Sequence, residues 1–222
     1  MSRRDPPASG GRGDEGLGTA HVDLWWLPVG AGGHVVIHTS RQWERWNAFW
    51  KRRAPRPLFH AALEVHVDGR RIVIEMAPAW GLGSGSPGVV ATGPVGARFL
   101  DALRLFRYEI RCREDGVLPD RAHAPEPPNQ MPVAVATARE IPELLRTVPH
   151  HVWGRDALGI GDMWNSNSLV AWLLETSGIG TSGLRPPADG AAPGWLTGIV
   201  AARLREQVSP DHRCGRGGTT SP

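Results

Sequence analysis

The sequence predicts an α+β fold in which an antiparallel sheet packs with helices, and three observations carry that expectation. The stretch "LFHAALEVHVDGRRIVIEMAP" holds two strand-like runs joined by Asp68-Gly69, and a two-residue hairpin turn that needs positive φ at both positions favours Asp-Gly. Strand-like runs gather in the first half of the chain and helical runs in the second, which is the α+β pattern rather than the alternation of a doubly wound parallel sheet. At 222 residues the chain suits one domain with a full core.

Along the chain, "VDLWWLPVG" and "GHVVIHTS" read as strands. In "SRQWERWNAFWKRR", Trp43, Trp46, Phe49 and Trp50 form one stripe of a helix and are expected in the core. The loop "WGLGSGSPG" lacks the Lys-Ser or Lys-Thr ending of a phosphate cradle and reads as a connection. "ARFLDALRLFRYEIRC" predicts a short helix running into a strand near 105–112, and the Pro-rich residues 122–132 predict a loop. Helices follow at "TAREIPELLRTVP", at 165–177 and at "GWLTGIVAARLREQ". Residues 1–20 and 208–222 are rich in Gly, Pro, Ser and charge and are expected to be disordered, leaving 21–207 as a single domain.

The charge balance, 25 basic against 22 acidic residues, is too even to indicate nucleic acid, and the basic clusters "KRRAPR" and "HRCGRGG" lack interleaved aromatics. Cys112 and Cys214 lie far apart, so no structural disulfide is expected and a reducing cytoplasm fits. No apolar window is long enough for a signal peptide core or a membrane span.

The hairpin sets a register that pairs Val67 with Arg70, Ala62 with Glu75 and His60 with Ala77. Period 2 then places His60, Ala62, Glu64 and His66 on one face and Phe59, Ala61, Leu63, Val65 and Val67 on the buried one. Glu75 is the diagonal neighbour of His60, where a carboxylate orients an imidazole that serves as a base. Far downstream, "MWNSNSLVAWLLETSGI" sets Ser166 at a helix N-terminus, with the amides of Asn167 and Ser168 available to an oxyanion and Asn165 or Asp162 as the cap. The plainer reading makes the Asn-Ser-Asn-Ser segment a cap alone and leaves Glu64 and Glu75 on a solvated face.

Metal binding finds little in the spacing. His34 and His38 would need a helix to converge, yet "HVVIH" is strand-like; His150 and His151 are adjacent and diverge; no paired-Cys motif is present. No metal or other cofactor is expected.

The order of a strand His in "FHAALEV", a following strand Glu in "IVIEMAP" and a late "NSNSLVAWLL" helix start resembles the circularly permuted papain-like fold, the group of lecithin:retinol acyltransferase-like proteins and bacterial permuted amidases. The resemblance spans about residues 57–178 and implies His60 as base, Ser166 at the nucleophile position and Glu75 as the orienting residue. It departs in one respect, because the family's Cys is Ser here. A thiol becomes a thiolate beside a His and a helix terminus, whereas a Ser hydroxyl needs its proton removed during attack. The resemblance therefore implies either a hydrolase or acyltransferase acting on an amide or ester of a small molecule, peptide or lipid, or a catalytically inactive binding or scaffold module.

Overall fold

The structure, a computed structural model, describes residues 20–30, 56–79, 88–103, 106–118 and 120–208. The strand expected at "GHVVIHTS", the Trp43 to Trp50 stripe, the Gly-rich loop at 80–87 and the terminal segments, apart from Ala20 and Val208, lie outside the described residues.

The Asp-Gly turn forms as expected. Asp68 and Gly69 take φ of 54° and 73°, and they join β2 (Phe59–Val67) to β3 (Arg70–Pro78) in a register that runs from Val67 opposite Arg70 to Leu63 opposite Ile74. With β1 (Ala20–Pro28), β4 (Val89–Pro94), β5 (Arg107–Glu114) and β6 (Asn129–Val133) these strands make a six-stranded sheet in the order β4-β5-β3-β2-β1-β6, antiparallel throughout. Three helices follow, α1 (Val135–Leu144), α2 (Ser166–Thr176) and α3 (Trp195–Val208). The fold is thus α+β, an antiparallel sheet packed with helices.

Two segments differ from expectation. The expected loop at 122–132 supplies β6, whose Pro132 has no N–H to donate; a strand at the sheet edge tolerates that, and among the described residues β6 is an edge strand. The expected helix before β5 is only a 3-10 turn at Arg98–Ala102.

Alternation divides the sheet into two faces. Ala20, Val22, Leu24 and Trp26 of β1, Phe59, Ala61, Leu63, Val65 and Val67 of β2, and Ile74, Met76, Tyr108 and Ile110 of β3 and β5 share one core with the helices. Every residue of α2 from Ser166 to Leu174 is buried, so this helix is enclosed on all sides, unlike an amphipathic surface helix. Its enclosure depends on Gly198 of α3, where a Cβ would stand 2.2 Å from the Ser168 carbonyl oxygen. The opposite face carries a smaller apolar cluster of Trp25, Leu27, Ala62, Val73 and Leu118.

Gly198→Ala is therefore expected to cost about 1–3 kcal/mol through overpacking. Gly69→Ala, whose added Cβ meets nothing within 4 Å, should cost about 1 kcal/mol through its left-handed backbone. Urea denaturation measures both; a Gly198→Ala protein as stable as the wild type would contradict the close α2–α3 approach.

Candidate functional site

The segment from Asp162 to Ser168 carries a polar knot that is buried from Asn165 to Ser168 and half-buried at Asp162. Asn165 is the N-cap of α2, and its side-chain oxygen accepts from the amides of Asn167 at 2.9 Å and Ser168 at 3.4 Å. The Ser168 hydroxyl accepts in return from the Asn165 amide at 3.0 Å, which completes a capping box. The same hydroxyl lies 2.8 Å from the Gly194 carbonyl and 3.1 Å from that of Met163. Asn165 and Asn167 both donate side-chain N–H groups to the Pro193 carbonyl, and Asn167 also donates to the Phe59 carbonyl at 3.0 Å. Asp162 accepts from the Gly194 amide at 2.7 Å and from the Met163 amide. Gly194 must be glycine, since φ is 90° and a Cβ would lie 2.3 Å from the Asn165 oxygen.

This arrangement corrects two expectations. The Asn167 and Ser168 amides, expected to face an oxyanion, already donate to Asn165. Ser166, expected at an open rim, is 5% exposed.

His60 stands elsewhere. Its neighbours Phe59 and Ala61 enter the core beneath the helices, so alternation turns His60 to the other face of the sheet, where its Nε2 lies 3.6 Å from Asp120 Oδ2. Glu75 shares that face but does not reach His60. The β2–β3 ladder stops at Leu63 and Ile74, and Glu75 instead accepts from Arg113 at 3.0 Å and Arg111 at 3.4 Å, both on β5. No hydrogen bond or ion pair joins Ser166, His60 and Glu75, so the structure does not assemble the expected Ser-His-carboxylate set.

The face bearing His60 is polar yet largely buried. Glu64, expected to be solvated, is 1% exposed and accepts from the Trp25 indole at 3.1 Å, Arg71 at 2.8 Å and Arg121 at 3.4 Å. Arg121 also lies 4.6 Å above the Trp25 ring. A 3-10 turn at Arg121–His123, preceded by Asp120, delivers both Asp120 and Arg121 to this face. Pairing of this kind is what permits charges to be buried. The His60 imidazole holds the Asp120 carboxyl below its ordinary value, against burial, which acts the other way.

On the same face the β1–β2 register sets His21 opposite His66, and Asp23 lies two residues along from His21. His66 Nε2 is 3.4 Å from one Asp23 oxygen, His21 Nε2 is 4.0 Å from the other, and the two rings stack with centroids 4.2 Å apart. Sequence spacing does not offer this cluster, because β1 and β2 are separated by thirty residues; only the His-x-Asp spacing on one strand hints at it. Of the pairs the spacing does offer, His34 and His38 lie outside the described residues. His150 faces the Thr92 carbonyl at 3.0 Å, while His151 packs edge-on against Trp164 and is held below its ordinary pKa mainly by burial. The Cys112 thiol is half-buried and burial pushes its pKa up, which keeps it protonated; Cys214 lies outside the described residues.

A groove of about 520 Å³ opens at the β6 edge, between Gln130–Ala134 and the loop after α2, and Met131, Val133, Ile179 and Leu184 supply its apolar lining. Among the described residues no helix is long and apolar enough to cross a membrane. Comparison with protein-family models, curated proteins and solved structures finds no match to this chain.

Removing the cap should be costly and removing the Ser166 hydroxyl cheap. Asn165→Ala and Ser168→Ala are each expected to lose about 2 kcal/mol, by stranding buried donors, whereas Ser166→Ala should lose no more than about 1 kcal/mol. Thermal and urea unfolding of the three variants test this ranking.

The depressed Asp120 pKa contributes stability that is present above the ordinary carboxylate value and is lost as pH falls through the folded value. Carboxyl carbon NMR should show Asp120 titrating below a normal aspartate and moving upward in His60→Ala. An Asp120 unaffected by that substitution would break the assignment of its partner.

Proposed function

We propose that the chain is a permuted papain-like domain turned to ligand binding rather than hydrolysis. The observation that carries this reading is the separation of its would-be catalytic groups: Ser166 sits sealed in the helix layer and His60 pairs with Asp120 across the sheet. A Ser nucleophile has no route to activation without a base within hydrogen-bond reach. The order of elements that resembles the permuted family supports the fold, while the Asn-Ser-Asn-Ser segment serves as an internal fastening.

The groove at the β6 edge is the recognition surface under this reading. Its size is within the range of ligand sites, and a sheet edge accepts an extended peptide through main-chain hydrogen bonds. The ligand class is therefore a short extended peptide or a small amide. Two widely separated cysteines suit a cytoplasmic setting.

Two measurements test the proposal. A fluorophosphonate probe followed by mass spectrometry is expected to leave Ser166 unlabelled; a Ser166 adduct that diminishes in His60→Ala would overturn the non-hydrolytic reading. Capped tetrapeptide libraries followed by amide NMR should shift residues 130–134 and 178–184, and shifts centred instead on Ser166 and His60 would move the binding site back to the hydrolase positions.

A further inference from the structure

We propose that His21, Asp23 and His66 form a binding site for a divalent transition-metal ion of the zinc class. Each residue offers one ligand atom, and the three atoms lie within 4.8 Å of one another. Zinc bound to imidazole nitrogen and carboxylate oxygen in tetrahedral geometry holds its ligand atoms about 3.3 Å apart. His66 Nε2 stands 3.4 Å from Asp23 Oδ2, close to that edge, whereas His21 Nε2 stands 4.0 Å from Oδ1, so the two imidazoles face different oxygens of one carboxylate and must reorient to share an ion with it.

An unsatisfied atom marks the same point. His66 Nε2 is buried and has no hydrogen-bond partner, although it points among the Asp23, Glu64 and His21 side chains. A buried polar atom without a partner is costly, and a cation placed against its lone pair removes that cost. The surroundings are arranged to support such an ion. Gln130 donates to Asp23 at 3.3 Å, and Glu64, 4.0 Å from His66 Nε2, is itself held by Trp25, Arg71 and Arg121. Outer hydrogen bonds of this kind orient ligands and add to their affinity.

The site is also reachable. The His21 and His66 side chains are 29% and 27% exposed, so the rings meet solvent, while the buried His66 Nε2 becomes accessible to an ion only as the rings part. The rings now lie within 10° of parallel. They must fan apart about their side-chain torsions for both lone pairs to meet at one ion, so binding breaks the ring stack. Two imidazoles and one carboxylate leave at least one coordination position for water or an added donor, as in open zinc sites.

The test uses untagged full-length protein stripped with a chelator. Calorimetric titration with zinc should give one equivalent bound, and cobalt should give the visible bands of a four- or five-coordinate ion. Asp23→Asn and His21→Gln are each expected to weaken zinc by at least about 100-fold and Gln130→Ala by about 10-fold. Imidazole proton NMR should show the His21 and His66 resonances shifting with one zinc equivalent. Because His66→Ala risks disturbing the buried face, His21→Gln with its apo melting temperature unchanged serves as the deciding variant. Absence of binding heat and cobalt bands, or zinc affinity unaltered in both His21→Gln and Asp23→Asn, would overturn the proposal.

Discussion

The buried polar knot at the start of α2 is the constraint on which the rest of the structure depends. Asn165, Asn167 and Ser168 each bond to two or more backbone groups, and those groups belong to β2, to α2 and the residues just before it, and to the turn that leads into α3. Asp162 closes the circuit through the Gly194 amide. A helix buried on every side cannot leave its first-turn amides to water, so they must find partners within the protein. The segment that resembles a catalytic helix start is here the means by which that requirement is met.

The sheet separates two kinds of interior. On the helix side, apart from the polar knot, the interior is apolar, and Trp172, Leu173 and Leu169 share one buried core with Leu63 and Ile74 that provides the hydrophobic stabilisation. On the other side buried carboxylates and guanidiniums neutralise one another, as in the pairs of Glu64 with Arg71 and of Glu109 with Arg111. A buried ion pair contributes little net stability over apolar packing, but removal of one partner leaves the other charge stranded. The polar face is therefore sensitive to single substitutions although it adds little to the core. His60, His21 and His66 all belong to it, and so their chemistry is that of a charged sheet surface rather than of a helix terminus.

This division decides which side chains meet. A nucleophile on a helix and a base on a strand cooperate only if the base points toward the helix layer. In this chain the alternation that buries Phe59 and Ala61 turns His60 away. The same alternation, acting on β1, turns His21 and Asp23 to the face where His66 already lies. One rule of strand geometry thus separates the Ser166, His60 and Glu75 side chains and brings His21, Asp23 and His66 together.

Local chemistry was legible in the chain by itself. The Asp68-Gly69 turn, the β2–β3 register beside it, the buried and polar faces of β2, and the capping role of Asn165 all follow from neighbours within a few residues, where φ preference, period 2 and first-turn amides leave few choices. What only the tertiary structure decided depends on contacts between distant segments. The β1–β2 pairing, the strand at 129–133, the delivery of Asp120 to His60, the diversion of Glu75 to Arg113 and the burial of Glu64 are of this kind. Periodicity states which side of a strand a residue occupies, but the partner across the gap is chosen by the packing of the whole sheet.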